Sequence, residues 1–322
     1  MPNHNITYFL GAGASANTLP IVKKMNWALN QIYINFQKLS PQTDAHRWFI
    51  NEIKWLQTEL YGHPTVDTLA KRFWLQNESS KLNRLKVILS TFFTVLQCSK
   101  PLEPRYDGLL AGLLGKRENG IMKLNETIRF ITWNYDFQIE QSVKRYILNK
   151  EEYSAIQNLL RIYPNITKDS VLHSDYALVH LNGIAGFYDL ESNECGNLFR
   201  YFDDAYKVMD SIYSIIDNHE IKGLNFHDRF SFAWEETRHG TSAINHAIEI
   251  MKKTQILIII GYSFPFFNRD IDRRLFRELK QCKKIYFQAP NPNINLIKQQ
   301  FNLGMPIEAV NDTESFFIPH EL

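Results

Sequence analysis

The sequence predicts an α/β protein, a Rossmann-like parallel sheet flanked by helices, and three observations carry that prediction. Four short apolar runs, far apart in the chain, each end in a polar or glycine-rich turn. The run over 255–260 is, from Ile256 on, continuously apolar and branched, the mark of a central parallel strand buried on both faces. Segments with apolar residues three and four apart separate the runs, which is helical periodicity.

Taken in order, Ile6-Thr7-Tyr8-Phe9-Leu10 reads as the first strand and runs into Gly11-Ala12-Gly13-Ala14-Ser15. Gly11, Gly13 and Ala16 fit the G-x-G-x-x-G/A fingerprint: a tight turn, a backbone able to approach a diphosphate, and a small residue for close helix packing. A helix opening there would turn its amides and positive dipole end toward phosphate. A dehydrogenase of this fold would place an acid about 20 residues further on. Residues 21–40 contain no acid and read instead as a helix, with Val22, Met25, Ala28, Leu29, Ile32 and Phe36 at helical spacing, so hydride transfer loses ground.

The helical pattern continues to residue 116, notably over 46–61, 66–75 and 81–97, with no convincing strand. Residues 21–116 are therefore expected to form a helical insertion lying over the sheet. It is rich in large aromatics, among them Trp27, Trp48, Phe49, Trp55, Phe73, Trp74, Phe92 and Phe93. The sheet resumes at 127–132 and ends in Trp133-Asn134-Tyr135-Asp136. Helical patterns over 137–149 and 151–162 precede a third strand, Ala177-Leu178-Val179, which runs into His180-Leu181-Asn182-Gly183. Residues 189–222 are irregular and are expected to form a second small lobe. A helix over 242–253 leads to the strand at 255–260 and its turn Gly261-Tyr262-Ser263; a helix over 268–280 and a strand over 284–288, ending near Asn291, complete the pattern. The whole chain, 1–322, is expected to be one such domain.

Composition narrows the function classes. With 36 basic against 34 acidic residues and no long charge run, the chain lacks the basic footprint of a dedicated nucleic-acid binder. Its apolar runs are too short to span a bilayer, and the first lacks the flanks of a signal peptide. Cys98, Cys195 and Cys282 form no C-x-x-C pair and cannot make a four-thiolate zinc site. A reduced cytoplasm is the simplest location.

In an open parallel sheet, ligands sit outside the carboxyl ends of the strands, so four such ends with polar groups point to one shared pocket. Asn134 and Asp136 also suit a simple turn, because their side chains bond their own backbone after strands. Together, GAGAS, TWNYD, the histidine-glycine strand end and GYS resemble the sirtuin family, in its divergent bacterial branch. The resemblance implies that Gly11, Ala12, Gly13 and Ser15 contact the diphosphate and ribose of NAD. It places Asn134 and Asp136 beside the bond that breaks, and Gly261, Ser263 and Asn291 on the adenosine side. The family has histidine directly before the glycine, whereas here Asn182 stands there. Residues i and i+2 of a strand share a face, so either His180 or Asn182 could face the ribose. His180 is the expected base, because imidazole titrates near neutral pH and an amide does not.

Sirtuin deacylases resemble one another in a four-cysteine zinc lobe, which three scattered cysteines cannot supply. The absence points to the branch that cleaves NAD itself, often in defence against phage, with NAD as substrate and no metal. Such an enzyme is expected to be a homo-oligomer or to act with a partner; the resemblance suggests a HerA-type ATPase or a short Argonaute. Two alternatives stay open: a zinc-less deacylase or ADP-ribosyltransferase, which needs a peptide cleft between lobes, and a silent nucleotide-binding module.

Overall fold

The computed structural model describes residues 4–116, 122–147, 153–164, 175–186, 204–222, 230–235 and 238–322. A seven-stranded, wholly parallel sheet forms its centre, in the order β5 (Ile162–Tyr163), β6 (Leu178–His180), β4 (Ile128–Thr132), β1 (Ile6–Leu10), β7 (Ile256–Ile260), β8 (Lys284–Gln288), β9 (Ile307–Val310). The chain leaves β1 toward β4 on one side and later returns to β7 on the other. The strand order therefore reverses at β1, the place where this class of sheet opens a ligand crevice.

Alternation along the strands sorts the core into two faces. Tyr8, Leu10, Phe130, Ile258 and Ile260 face one layer, whereas Phe9, Ile131, Leu257, Ile259 and Phe287 face the other. The first layer is the expected insertion: α1 (Met25–Gln37), α2 (Asp44–Glu59), α3 (Val66–Leu75), α4 (Ser79–Cys98) and α5 (Pro104–Leu113). Thr43 caps α2 and Thr65 caps α3, each hydroxyl accepting an amide of the first turn. Of the aromatics in this layer, Phe49, Phe73, Phe92 and Phe93 are buried, while Trp27 and Trp74 are exposed.

The second layer comprises α9 (Arg238–Lys253), α10 (Arg269–Phe276) and α11 (Ile294–Phe301). Two further helices, α6 (Gln138–Lys144) and α7 (Tyr153–Leu160), follow β4. The end of the insertion departs from the helical expectation: β2 (Leu114–Lys116) pairs antiparallel with β3 (Met122–Leu124) in a small separate hairpin. Of the expected second lobe, residues 189–203 lie outside the described residues. Ala205–Lys222 is one helix, α8, whose Val208, Met209, Ile212 and Ile215 join the insertion core. Among the described residues, no helix is long and apolar enough to cross a membrane.

Candidate functional site at the strand ends

The turn after β1 and the turn after β7 interlock backbone to backbone. The Gly11 amide donates to the Ile260 carbonyl at 3.0 Å, and the Gly13 amide to the Gly261 carbonyl at 2.9 Å. A Cβ on Gly13 would lie 2.6 Å from the Gly261 Cα, and one on Gly11 would lie 2.6 Å from the Tyr262 Cα. Gly261 itself sits at φ +61°, in the left-handed region that favours glycine. The glycines that read as a phosphate fingerprint thus have a second cause, the close approach of two strand ends at the point where the sheet reverses.

The turn after β4 closes on the same place. The Asn134 amide nitrogen donates to the Gly11 carbonyl at 3.0 Å and lies 3.5 Å from the Ser15 hydroxyl. Its backbone amide is held by the Thr132 hydroxyl. Asp136 accepts from the Gln138 amide at 3.1 Å and from the Ser15 hydroxyl. Ser15 also hydrogen-bonds the buried Tyr106 phenol, which burial holds protonated. Ser15 thus links the Tyr106 phenol to the Asp136 carboxyl. Burial pushes the Asp136 carboxyl up to about 6, against the pull of those hydrogen bonds and of His180.

His180 ends β6 beside Thr132 and is 1% exposed. Its Nδ1 donates to the Asn134 carbonyl at 3.2 Å, and its Nε2 meets the Glu140 carboxylate on α6 at 2.9 Å. Burial opposes a charge on the ring, but the Glu140 carboxylate and the Asn134 carbonyl outweigh it and hold the imidazole above its ordinary range. In this arrangement neither ring nitrogen is free to take a proton from water. Asn182 is also nearly buried; its amide nitrogen donates to the Tyr135 hydroxyl at 3.3 Å, and its carbonyl accepts from Ser231.

Gly11, Gly13, Ser15, Asn134 and Asp136 thus form one hydrogen-bonded and packed group, with Gly261 locked against it and His180 behind it. Ala12 and Ser263 are exposed at the turns, and Asn291 is exposed in the loop after β8, two strands from β1. The sequence reading missed the contribution of the insertion. Glu103 and Arg105 at the start of α5 contact the β1 turn, Tyr106 contacts Ser15, and the Gln97 carbonyl oxygen accepts from the Phe137 amide at 2.8 Å. Nothing in a Glu-Pro-Arg-Tyr string marks it as part of a site; it reads as an ordinary helix start with proline in the first turn.

Among the described residues, no three His, Cys, Asp or Glu side chains converge as metal ligands. Cys98 and Cys282 are not joined in a disulfide, and Cys195 lies outside the described residues. No protein-family model matches the chain, and no curated protein sequence matches it.

Proposed function

We propose that the protein is an NAD glycohydrolase that cleaves the bond between nicotinamide and ribose. The single observation that carries this reading is the junction of Asn134, Asp136 and Ser15 with a glycine turn at the sheet's reversal point. Nicotinamide in NAD is cationic and leaves neutral, so the leaving group needs no proton, unlike an ordinary glycoside. The remaining requirements are positioning, stabilisation of a cationic ribose and one base for water.

Asp136 suits the base: a carboxyl titrating near 6 is mostly ionised at neutral pH yet basic enough to accept a proton. As the water oxygen bonds to the anomeric carbon, its proton passes to Asp136, and the electrons of the broken bond stay on the nicotinamide nitrogen. Asn134 holds the water or a ribose hydroxyl. His180, paired with Glu140, fixes the Asn134 backbone and places a positive charge behind Asp136. The products are nicotinamide and ADP-ribose, or its cyclised form.

An enzyme that drains NAD must be held in check, so the reading includes control by assembly, as a homo-oligomer or with a partner. Incubation with NAD and chromatographic separation of the products tests the proposal; nicotinamide must appear without any acyl-peptide substrate.

A further inference from the structure

The helical insertion does more than cover one face of the sheet. Its last helix, α5, opens with Pro104, and Glu103 and Arg105 on either side of that proline both reach the β1 turn. The Arg105 guanidinium donates to the Gly13 carbonyl at 3.1 Å and the Ala14 carbonyl at 3.3 Å, and to the Thr313 carbonyl in the C-terminal segment. It also meets Glu103 as a fork, Nε to Oε1 at 2.7 Å and Nη2 to Oε2 at 2.9 Å. Glu103 is fully buried and takes two more bonds from Asn17, one from its backbone amide at 3.0 Å and one from its side-chain amide at 3.1 Å.

The same residue reaches the other half of the site. The Glu103 amide donates to the Gln138 side-chain carbonyl at 2.8 Å, and the Gln138 amide donates to Asp136. Asp136 returns to the β1 turn through the Ser15 hydroxyl. A closed circuit therefore runs from the Gly13 and Ala14 carbonyls through Arg105, Glu103, Gln138 and Asp136 back to Ser15. A bare buried guanidinium or carboxylate is costly, but each here satisfies the other, and both also bond backbone of the turn, with the Thr313 carbonyl and the Asn17 side chain as further partners.

We infer that Glu103 and Arg105 are positioning residues that set the β1 turn and the Asp136 loop in one register for a dinucleotide diphosphate. The inference rests on the proposed NAD reading for its ligand, but not for the circuit itself. Arg105 holds the Gly13 and Ala14 carbonyls on the side of α5, while the Gly11 and Gly13 amides are held by the Ile260 and Gly261 carbonyls, so the backbone of the turn is fixed from both sides. Lysine would keep the charge but not the fork, and glutamine at 103 would keep the shape but not the charge.

The test uses Arg105→Lys and Glu103→Gln in the full chain, with Arg84→Lys as control, because Arg84 pairs with Glu52 on the exposed side of the insertion. Two readouts are compared: amide hydrogen exchange of residues 11–17, and binding of ADP-ribose by calorimetry. Both site variants should speed exchange of the turn about tenfold or more, with the Asn17 amide most affected in Glu103→Gln. Exchange in β4 and β8 should stay as in the parent, and ADP-ribose should bind about tenfold more weakly. The control should change neither readout. Unchanged turn exchange in both folded variants overturns the inference. A parent protein that binds no ADP-ribose removes the NAD reading, while the exchange data still decide whether the two residues hold the turn. Should both variants fail to fold, Asn17→Ala, which removes only the outer contact to Glu103, must speed exchange of the turn; if it does not, the inference fails.

Discussion

The side-chain amide of Asn134 donates to the carbonyl of Gly11 at 3.0 Å, across 123 residues of sequence and between the ends of the two paired strands β4 and β1. That bond joins the residue proposed to hold water to the turn proposed to hold diphosphate. Asn134→Ala removes that donor while the Gly11 carbonyl keeps the Ala14 amide at 2.9 Å, so the cost is that of one hydrogen bond, about 0.5–1.5 kcal/mol. The fold should survive, and NAD turnover should fall at least about 100-fold, as when a positioned polar group is removed from a preorganised site. Steady-state kinetics beside a thermal melt separates the two effects.

The glycine interlock makes a graded prediction. Gly13→Ala would press a methyl group against the Gly261 backbone, which has no side chain to move aside, and Gly261→Ala adds a strained φ to a 2.4 Å approach to the Gly13 carbonyl carbon. Each should destabilise by about 1–3 kcal/mol or more, as overpacking does. Gly62→Ala is the comparison: φ is +83° but nothing lies within 4 Å, so only backbone strain of about 1 kcal/mol applies. Denaturant melts of the three variants should rank Gly62 mildest; equal losses at all three positions would remove the interlock as the reason for the glycines.

Asp136 should set the acid limb of activity. Because its carboxyl titrates near 6, kcat/KM should rise with pH through that value, as the base becomes ionised. Asp136→Asn should lose the limb as well as most of the rate. A limb unchanged in that variant would assign the ionisation elsewhere, His180 being the first alternative.

His180→Gln and Asn182→Ala bear on the choice of register at the end of β6. Glutamine can still donate one hydrogen bond but cannot be an imidazolium facing Glu140. His180→Gln should therefore lower kcat and shift the acid limb, because it removes the positive charge beside Asp136. Asn182→Ala should leave the limb in place, since Asn182 bonds Tyr135 and not Asp136. The reverse pattern in pH profiles would give Asn182 the closer role.

A buried acid outside the site offers a stability test. Burial pushes Asp272, on α10, up to about 8, despite the Tyr262 hydroxyl that donates to it at 2.8 Å. Its folded pKa lies above the unfolded value, so its contribution is fully favourable below pH 4 and is lost as pH rises from about 4 to 8. Asp272→Asn removes the group that must ionise. The variant should match the parent or fall below it at pH 4 and gain relative stability at pH 8, by an amount on the order of a few kcal/mol. Parallel melting curves across pH for parent and variant would contradict the assignment.

Much of the fold was legible because its strands are buried on both faces. Residues 6–10, 128–132, 256–260 and 284–288 are apolar enough to announce themselves, and the helical spacing of Met25, Ala28, Leu29, Ile32 and Phe36 announced a helix where a dehydrogenase would have a strand. The edges were not legible. β5 has two residues, and β9 carries Glu308 between Ile307 and Ala309, so neither shows the buried pattern. At the site, the strand-end residues were readable because turns concentrate polar groups, whereas Glu103, Arg105 and Glu140 act through tertiary contacts that leave no local signature. The ring of His180 points to Glu140 for the same reason: a buried acid one turn into α6 was invisible until the helix was placed.

Nicotinamide release from NAD tests the central claim most directly. The protein is assayed across a range of concentrations, alone and co-purified with the products of neighbouring genes, with products resolved by chromatography and an acetylated peptide as a parallel substrate. The account predicts nicotinamide and ADP-ribose or its cyclic form in the absence of peptide, turnover that rises with assembly, and loss of both products in Asn134→Ala. NAD left intact under every one of these conditions, or consumed only together with acetyl-peptide, would contradict it.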